Sequence, residues 1–187
     1  MNVDFRLTKK DKIFLLKVAR ESIQSKLNDI CFNVQNIPDS LKFNSGCFVT
    51  LHLDGMLRGC IGNFREDVNI VENVAEMAVN AAFNDPRFPA VADIDELRQC
   101  EIEISVLSPM IPCSPEDIVV GRDGIYIRKG YYSGVLLPQV ATEHNFDRET
   151  FLTHTCYKAG LSGDCWKQPD VKIYRFEAVV FSEDILH

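Results

Sequence analysis

Two periods of apolar residues run through this chain, one helical and one strand-like. Beyond Thr8, Ile13, Leu16, Ile23, Leu27 and Ile30 recur at helical spacing, with Lys12, Lys17, Glu21 and Lys26 mostly between them. The pattern predicts a helix capped by Thr8 and reaching about Ile30, where the turn-rich stretch "NVQNIPDS" ends it. "GCFVTLHLDGMLRGCIG" then places two strand-like runs around Asp54-Gly55, a dipeptide that predicts a hairpin with a two-residue turn. A second helix is expected from Asn69 to Asn84, with Ile70, Val71, Val74, Ala78, Ala81 and Ala82 as its apolar stripe and Pro86 as its stop.

Strand periodicity returns in "CEIEISVLSP", where Ile102, Ile104 and Val106 alternate with Glu101, Glu103 and Ser105. "DIVVGRDGIYIRKGYYSGVLLP" predicts three short strands, broken at Arg122-Asp123-Gly124, Lys129-Gly130 and Ser133-Gly134. Asp147 caps an expected helix reaching Ala159, with Lys158 in its last turn and Gly160 as a left-handed stop. "VKIYRFEAVVF" is a final strand. Helices separated by hairpins, without regular strand–helix alternation, predict an α+β fold with a mainly antiparallel sheet packed against helices. With no linker and no internal repeat, residues 1–187 read as a single domain.

Composition narrows the functional classes. The chain has 46% hydrophobic and 25% charged residues and a formal charge of −7, which describes a soluble globular protein. That sign repels phosphate backbones and argues against sequence-independent nucleic-acid binding. Lys9, Lys10 and Lys12 form the densest basic cluster and read as a solvated helix face. "MNVDFRLTKK" lacks an apolar core of signal-peptide length, and no apolar run approaches the ~20 residues of a membrane helix. Seven cysteines at irregular spacing, without a CxxC pair, predict reduced thiols in the cytoplasm and neither a metal site nor a cofactor.

The densest chemistry lies in "LRGCIG". With a two-residue turn at Asp54-Gly55, Leu53 pairs with Met56, Leu51 with Arg58 and Val49 with Cys60, so Arg58 and Cys60 share a strand face. A guanidinium about 7 Å along the strand favours a thiolate, and Gly59 and Gly62 let backbone approach a ligand. Taken alone, the motif is better explained structurally, since free cysteines are mostly buried and strand glycines mark bulges. In "NDPRFP", Pro86 and Pro89 hold an extended turn that can present Asp85 and Arg87. Its plainer reading is a helix stop with Phe88 in the core and Arg87 solvated.

The remaining candidates carry less. His144 and His154 flank a capping turn, His154 and Cys156 do not share a helix face, and His52 sits in a strand. "GCIG" matches the GxxG clamp of KH modules, but that clamp joins two helices, and this chain is acidic.

Five segments together resemble one family. "GCFVTLHLDGMLRGCIG", "AAFNDPRFPAV", "EIEISVLSP", "GVLLPQVATEHNFDRETFLTHTCYKAGL" and "CWK" are similar to the AMMECR family, whose prokaryotic members are called AmmeMemoRadiSam system protein A. The resemblance spans about Leu41 to Phe181. It implies larger and smaller lobes around a cleft lined by the signature, and a functional link to Memo-like and radical-SAM proteins. It implies no reaction. Residue by residue it covers Leu57 to Gly62, then Asp85, Arg87 and Phe88, then Pro138, Val140 and Glu143, while His144 lies outside its pattern.

Two classes of function follow as expectations. One is a cysteine-dependent enzyme with Cys60 as nucleophile, Glu143 as acid or base, and Arg58, Gly59, Gly62, Asp85 and Arg87 around a small anionic ligand. The other is a non-catalytic adaptor that binds a partner protein or metabolite at the same place.

Overall fold

A computed structural model describes residues 7–186, which divide into two units. Unit 1 takes the chain up to Leu107 and again from Val179, and unit 2 takes Ser108–Ala178.

Unit 1 begins with α1 (Lys9–Leu27). The Thr8 hydroxyl accepts the Asp11 N–H at 3.2 Å, while the Asp11 carboxylate accepts the Thr8 N–H at 2.9 Å, so both ends of the cap are satisfied. The helix stops three residues short of the expected Ile30. Asp29 takes a positive φ of 53°, and Ile30 is 63% exposed, so no packing holds a further turn. Lys9 and Lys10 are exposed, as a solvated face requires, and the Lys12 ammonium stands 5.7 Å from the Phe181 ring centroid.

Strands β1 (Cys47–Leu53) and β2 (Met56–Asn63) form the expected hairpin. Asp54 and Gly55 adopt φ of 52° and 75°, as a two-residue turn of matching twist demands. Helix α2 (Ile70–Phe83) follows, with the Asn69 side chain accepting the Val71 N–H at 2.9 Å. A short α3 (Ile94–Gln99) was not foreseen, because six residues are too few to show a periodic stripe. Its signal is local: Asp93 accepts the Glu96 N–H at 2.9 Å as an N-cap. β3 (Cys100–Leu107) pairs antiparallel with β1 on the side opposite β2, giving the order β2-β1-β3. The core of this unit includes Leu15, Leu16 and Ile23 from α1, Val49 and Leu51 from β1, and Val74 from α2. At the chain end, Glu183 receives Arg20 Nε at 2.6 Å and the Ile102 N–H at 2.9 Å.

Unit 2 contains β4 (Ile111–Pro112), β5 (Asp123–Lys129), β6 (Tyr132–Leu136), α4 (Pro138–Glu143), α5 (Arg148–Lys158) and the start of β7 (Lys172–Ser182). Its strands run antiparallel in the order β4-β7-β5-β6. Of the three short strands expected between Asp117 and Pro138, only β5 and β6 form. Residues 118–122 are a turn instead, because the buried Asp123 carboxylate accepts the Val119 N–H at 2.8 Å and Arg122 Nη2 at 2.7 Å. A side chain there does what a neighbouring strand would do. Asp147 caps α5 through the Thr150 N–H at 2.8 Å, and Gly160 closes it with a φ of 73°.

One expectation about the thiols is overturned. Cys156 in α5 and Cys165 in the turn that follows form a disulfide, 2.04 Å between sulfurs, and both are buried. Their nine-residue separation resembles no metal or redox motif, so only the return of the chain onto α5 reveals the pair. Five cysteines remain free. Among the described residues, no helix is long and apolar enough to cross a membrane.

Candidate functional site

β2 is the outer strand of the unit 1 sheet, so the backbone groups on its free edge need partners from elsewhere. At Cys60 a pair of side chains supplies them. The Cys60 N–H donates to Asp85 Oδ2 at 2.8 Å, and the Cys60 carbonyl accepts from Arg87 Nη2 at 3.0 Å. Arg87 also grips Asp85 with Nε at 2.9 Å and Nη2 at 2.7 Å, and its own N–H reaches Asp85 Oδ1 at 3.0 Å.

The sequence folds this way because α2 ends just before Asp85, and Pro86 then sets a turn in which the Phe88 N–H donates to the Asp85 carbonyl at 3.2 Å. The Arg87 hydrogen bonds hold the Asp85 carboxyl well below the usual carboxylate range; burial opposes them, and the Cys60 and Arg87 N–H groups assist. Asp85 has a side chain 1% exposed, whereas that of Arg87 is 54% exposed. Among the described residues, Arg87 Nη1 makes no hydrogen bond, so that edge of the guanidinium faces outward.

The hairpin register differs from the expected one. Leu53 pairs with Met56 as foreseen, but a bulge between Leu51 and His52 makes Arg58 the extra residue. Leu51 therefore faces Gly59, and Cys60 faces Thr50 rather than Val49. Since the outer edge takes both backbone groups of Cys60, the Thr50–Cys60 pair is of the closer kind, and Thr50 Oγ1 donates to Cys60 Sγ at 3.2 Å. Sequence reasoning missed Thr50 because the bulge shifts the partner by one residue.

Arg58 is buried against an anionic partner, Glu96. Arg58 Nε donates to Glu96 Oε1 at 2.7 Å, Nη1 donates to the Pro89 carbonyl at 2.8 Å, and the side chain is 11% exposed. Glu96 also accepts the Ala92 N–H at 2.7 Å. Burial raises the Glu96 carboxyl, but the Ala92 N–H and Arg58 outweigh it and leave the group below its ordinary value. Arg58 thus ties α3 to β2 and is not presented to a ligand. Nothing short-range in the sequence marks a partner 38 residues away.

The two glycines also have local reasons. A Cβ on Gly59 would run into the Ala81 carbonyl of α2, and one on Gly62 would meet the Phe48 ring. Both positions serve close packing within unit 1. "GCIG" lies inside β2, not between two helices, which removes its match to an RNA clamp.

Glu143 belongs to unit 2, exposed at the end of α4, where Pro138 occupies the first turn. His144 and His154 both stack on Phe146, at centroid distances of 5.3 and 4.4 Å. Among the described residues, no group of three or more His, Cys, Asp or Glu could hold a metal ion.

The arrangement around Cys60 is a half-buried thiol on a rigid backbone, with a hydroxyl donor beside it and a half-exposed guanidinium at its carbonyl. Comparison with known proteins agrees with the five sequence segments. The AMMECR1 family model matches residues 16–181. A protein of Methanothermobacter thermautotrophicus is 43% identical over 180 residues, covering 91% of this chain and 93% of the relative. Protein MJ0810 of Methanocaldococcus jannaschii is 40% identical over 186 residues, with 95% and 92% covered. The crystal structure of the uncharacterized protein PH0010 from Pyrococcus horikoshii superposes with a TM-score of 0.83 at 40% identity, covering 91% of this chain and 90% of that one.

Proposed function

This chain belongs to the AMMECR1 family, and we propose that it carries out a thiol-dependent step on a small anionic molecule, with Cys60 as the nucleophile. One observation carries the reading: the Cys60 thiol receives a hydrogen bond from Thr50 while both its backbone groups are clamped by Asp85 and Arg87. The hydroxyl beside the sulfur and the clamped backbone together fix where the nucleophile points. In the step, sulfur supplies the electron pair for a new C–S bond. Its proton passes to water, and the leaving group departs with the pair of the bond it breaks.

The anion-handling part rests on Arg87 alone. Arg58, Gly59, Gly62 and Asp85 are engaged inside unit 1, whereas the free edge of Arg87 is beside the Cys60 carbonyl. Glu143 enters this reading only as an exposed carboxylate in unit 2, and the thiol step does not require it. The reading requires Cys60 to stay reduced, whereas Cys156 and Cys165 of the same chain are bridged.

The protein contains its own reference thiol, since Cys31 is free and exposed. Alkylation at pH 7, followed at each cysteine by mass spectrometry, should find Cys60 about tenfold or more faster than Cys31 despite its lower exposure. Iodoacetate should be favoured over iodoacetamide more strongly at Cys60 than at Cys31, and added salt should erase that preference. A Cys60 no faster than Cys31 overturns the nucleophile and leaves the adaptor. The adaptor has its own support in the inward use of Arg58 and Asp85.

A further inference from the structure

Unit 2 has an open cavity of about 370 Å³ at the start of α5, within the size range of small-ligand sites. Trp166 and Pro115 form its apolar wall over the fully buried Leu152, and Glu116, Asp147 and Glu149 bring carboxylates to it. Arg148 is the one cation among its lining residues, so the cavity carries an excess of two negative charges. Asp147 stays ionised, because hydrogen bonds from the Thr150 side chain and N–H hold its carboxyl low.

The aromatic wall is preformed. Trp166 follows Cys165, which the disulfide ties to Cys156 in α5. The indole Nε1–H also reaches Thr153 Oγ1 at 3.4 Å. A ring held by a covalent anchor one residue away loses little freedom when a ligand settles against it.

The chain already uses this indole to hold an ammonium. Lys167, which does not line the cavity, keeps its Nζ 4.7 Å from the Trp166 ring centroid. Lys167 lowers the Asp164 carboxyl only slightly, after the larger effect of a hydrogen bond from Ser162. Among the described residues, no ion pair joins Lys167 to a carboxylate of the cavity.

We propose that this cavity binds a small organic cation of the alkylated or quaternary ammonium class. Its methyl groups lie against Trp166 and Pro115, and its charge faces Glu116 and Glu149. An aromatic face beside carboxylates recognises such a group by combining ring attraction, apolar contact and ion pairing. The site is independent of the chemistry proposed at Cys60.

Trp166 is the only tryptophan in the chain, so intrinsic fluorescence reports on this cavity directly. Titration of the whole protein with choline should change the emission saturably. The uncharged isostere 3,3-dimethylbutan-1-ol should bind about tenfold more weakly or not at all. The double variant E116Q/E149Q removes charge from two exposed positions and should weaken choline binding about fivefold or more, with an unchanged circular dichroism spectrum. The single variants E116Q and E149Q, each expected to show part of that loss, serve if the double variant misfolds. No saturable change with choline overturns the site. An equal response to the alcohol, or folded variants with unaltered affinity, overturns it as well, because the cavity is then merely apolar.

Discussion

The carboxylate of Asp85 lies 2.8 Å from the backbone nitrogen of Cys60, although 25 residues separate them. With Arg87 on the Cys60 carbonyl, the two side chains supply at Cys60 the hydrogen bonds that a further strand would have made there. Cys60 would otherwise sit on backbone free to pair with another chain. The clamp gives Cys60 a fixed position and denies the edge to a partner strand.

Asp85→Asn keeps the shape of the clamp and removes its charge. It should destabilise the protein by about 1–3 kcal/mol, below the range for fully buried pairs because Arg87 can turn to water. The urea midpoint reads this directly. A shift below about 0.5 kcal/mol would show that the clamp is not structural.

The same pair predicts a pH dependence. The folded-state carboxyl of Asp85 is held below its ordinary value of 3.8, so its stabilisation is complete at neutral pH. It begins to fade as pH falls through the unfolded value and is lost as pH falls through the folded one. Unfolding free energies of the natural protein and Asp85→Asn should therefore differ most at neutral pH and converge as the solution is made acid below about pH 4. A gap that stays constant from pH 7 to about pH 2.5 would assign the stabilisation to something other than charge.

Gly59→Ala and Gly62→Ala both drive a methyl group against backbone that cannot rotate away. At Gly59 the obstacle is the Ala81 carbonyl of α2, and at Gly62 it is the Cys47 carbonyl together with the Phe48 ring. Denaturant melts should give a loss of about 3 kcal/mol for each. A loss below about 1 kcal/mol for either would contradict the packing described.

Arg58→Met tests whether that guanidinium is structural. Glu96, whose side chain is 23% exposed, would keep the Ala92 N–H and lose its cation. The expected loss is about 2 kcal/mol in a thermal or urea melt. Unchanged stability would return Arg58 to the ligand-binding role that its sequence position suggested.

Cysteine titration is a direct check of the covalent structure. Freshly purified protein, denatured without reductant, should yield five thiols, and seven after reduction. Cys165→Ser should cost about 2–3 kcal/mol, the loop-closure value for a crosslink spanning so few residues. Recovery of all seven thiols before reduction would remove the bridge.

What could be read in the residues was local. Asp54-Gly55 had to turn with positive φ, Thr8 and Asp147 had to cap helices, and the Ile102–Ile104–Val106 alternation had to give β3 a buried face. Each of these depends on sterics or hydrogen bonds within a few positions, which the order of residues specifies. "LRGCIG" and "NDPRFP" could be singled out, but not the reason for either. Tertiary structure decided that a one-residue bulge gives Cys60 to Thr50, that Asp85 and Arg87 close the edge of β2 and that Arg58 pairs with Glu96. It likewise brought Cys165 back onto Cys156. Those partners are chosen by how elements pack after they form, and charge, hydroxyl and thiol groups carry no periodicity that announces them beforehand.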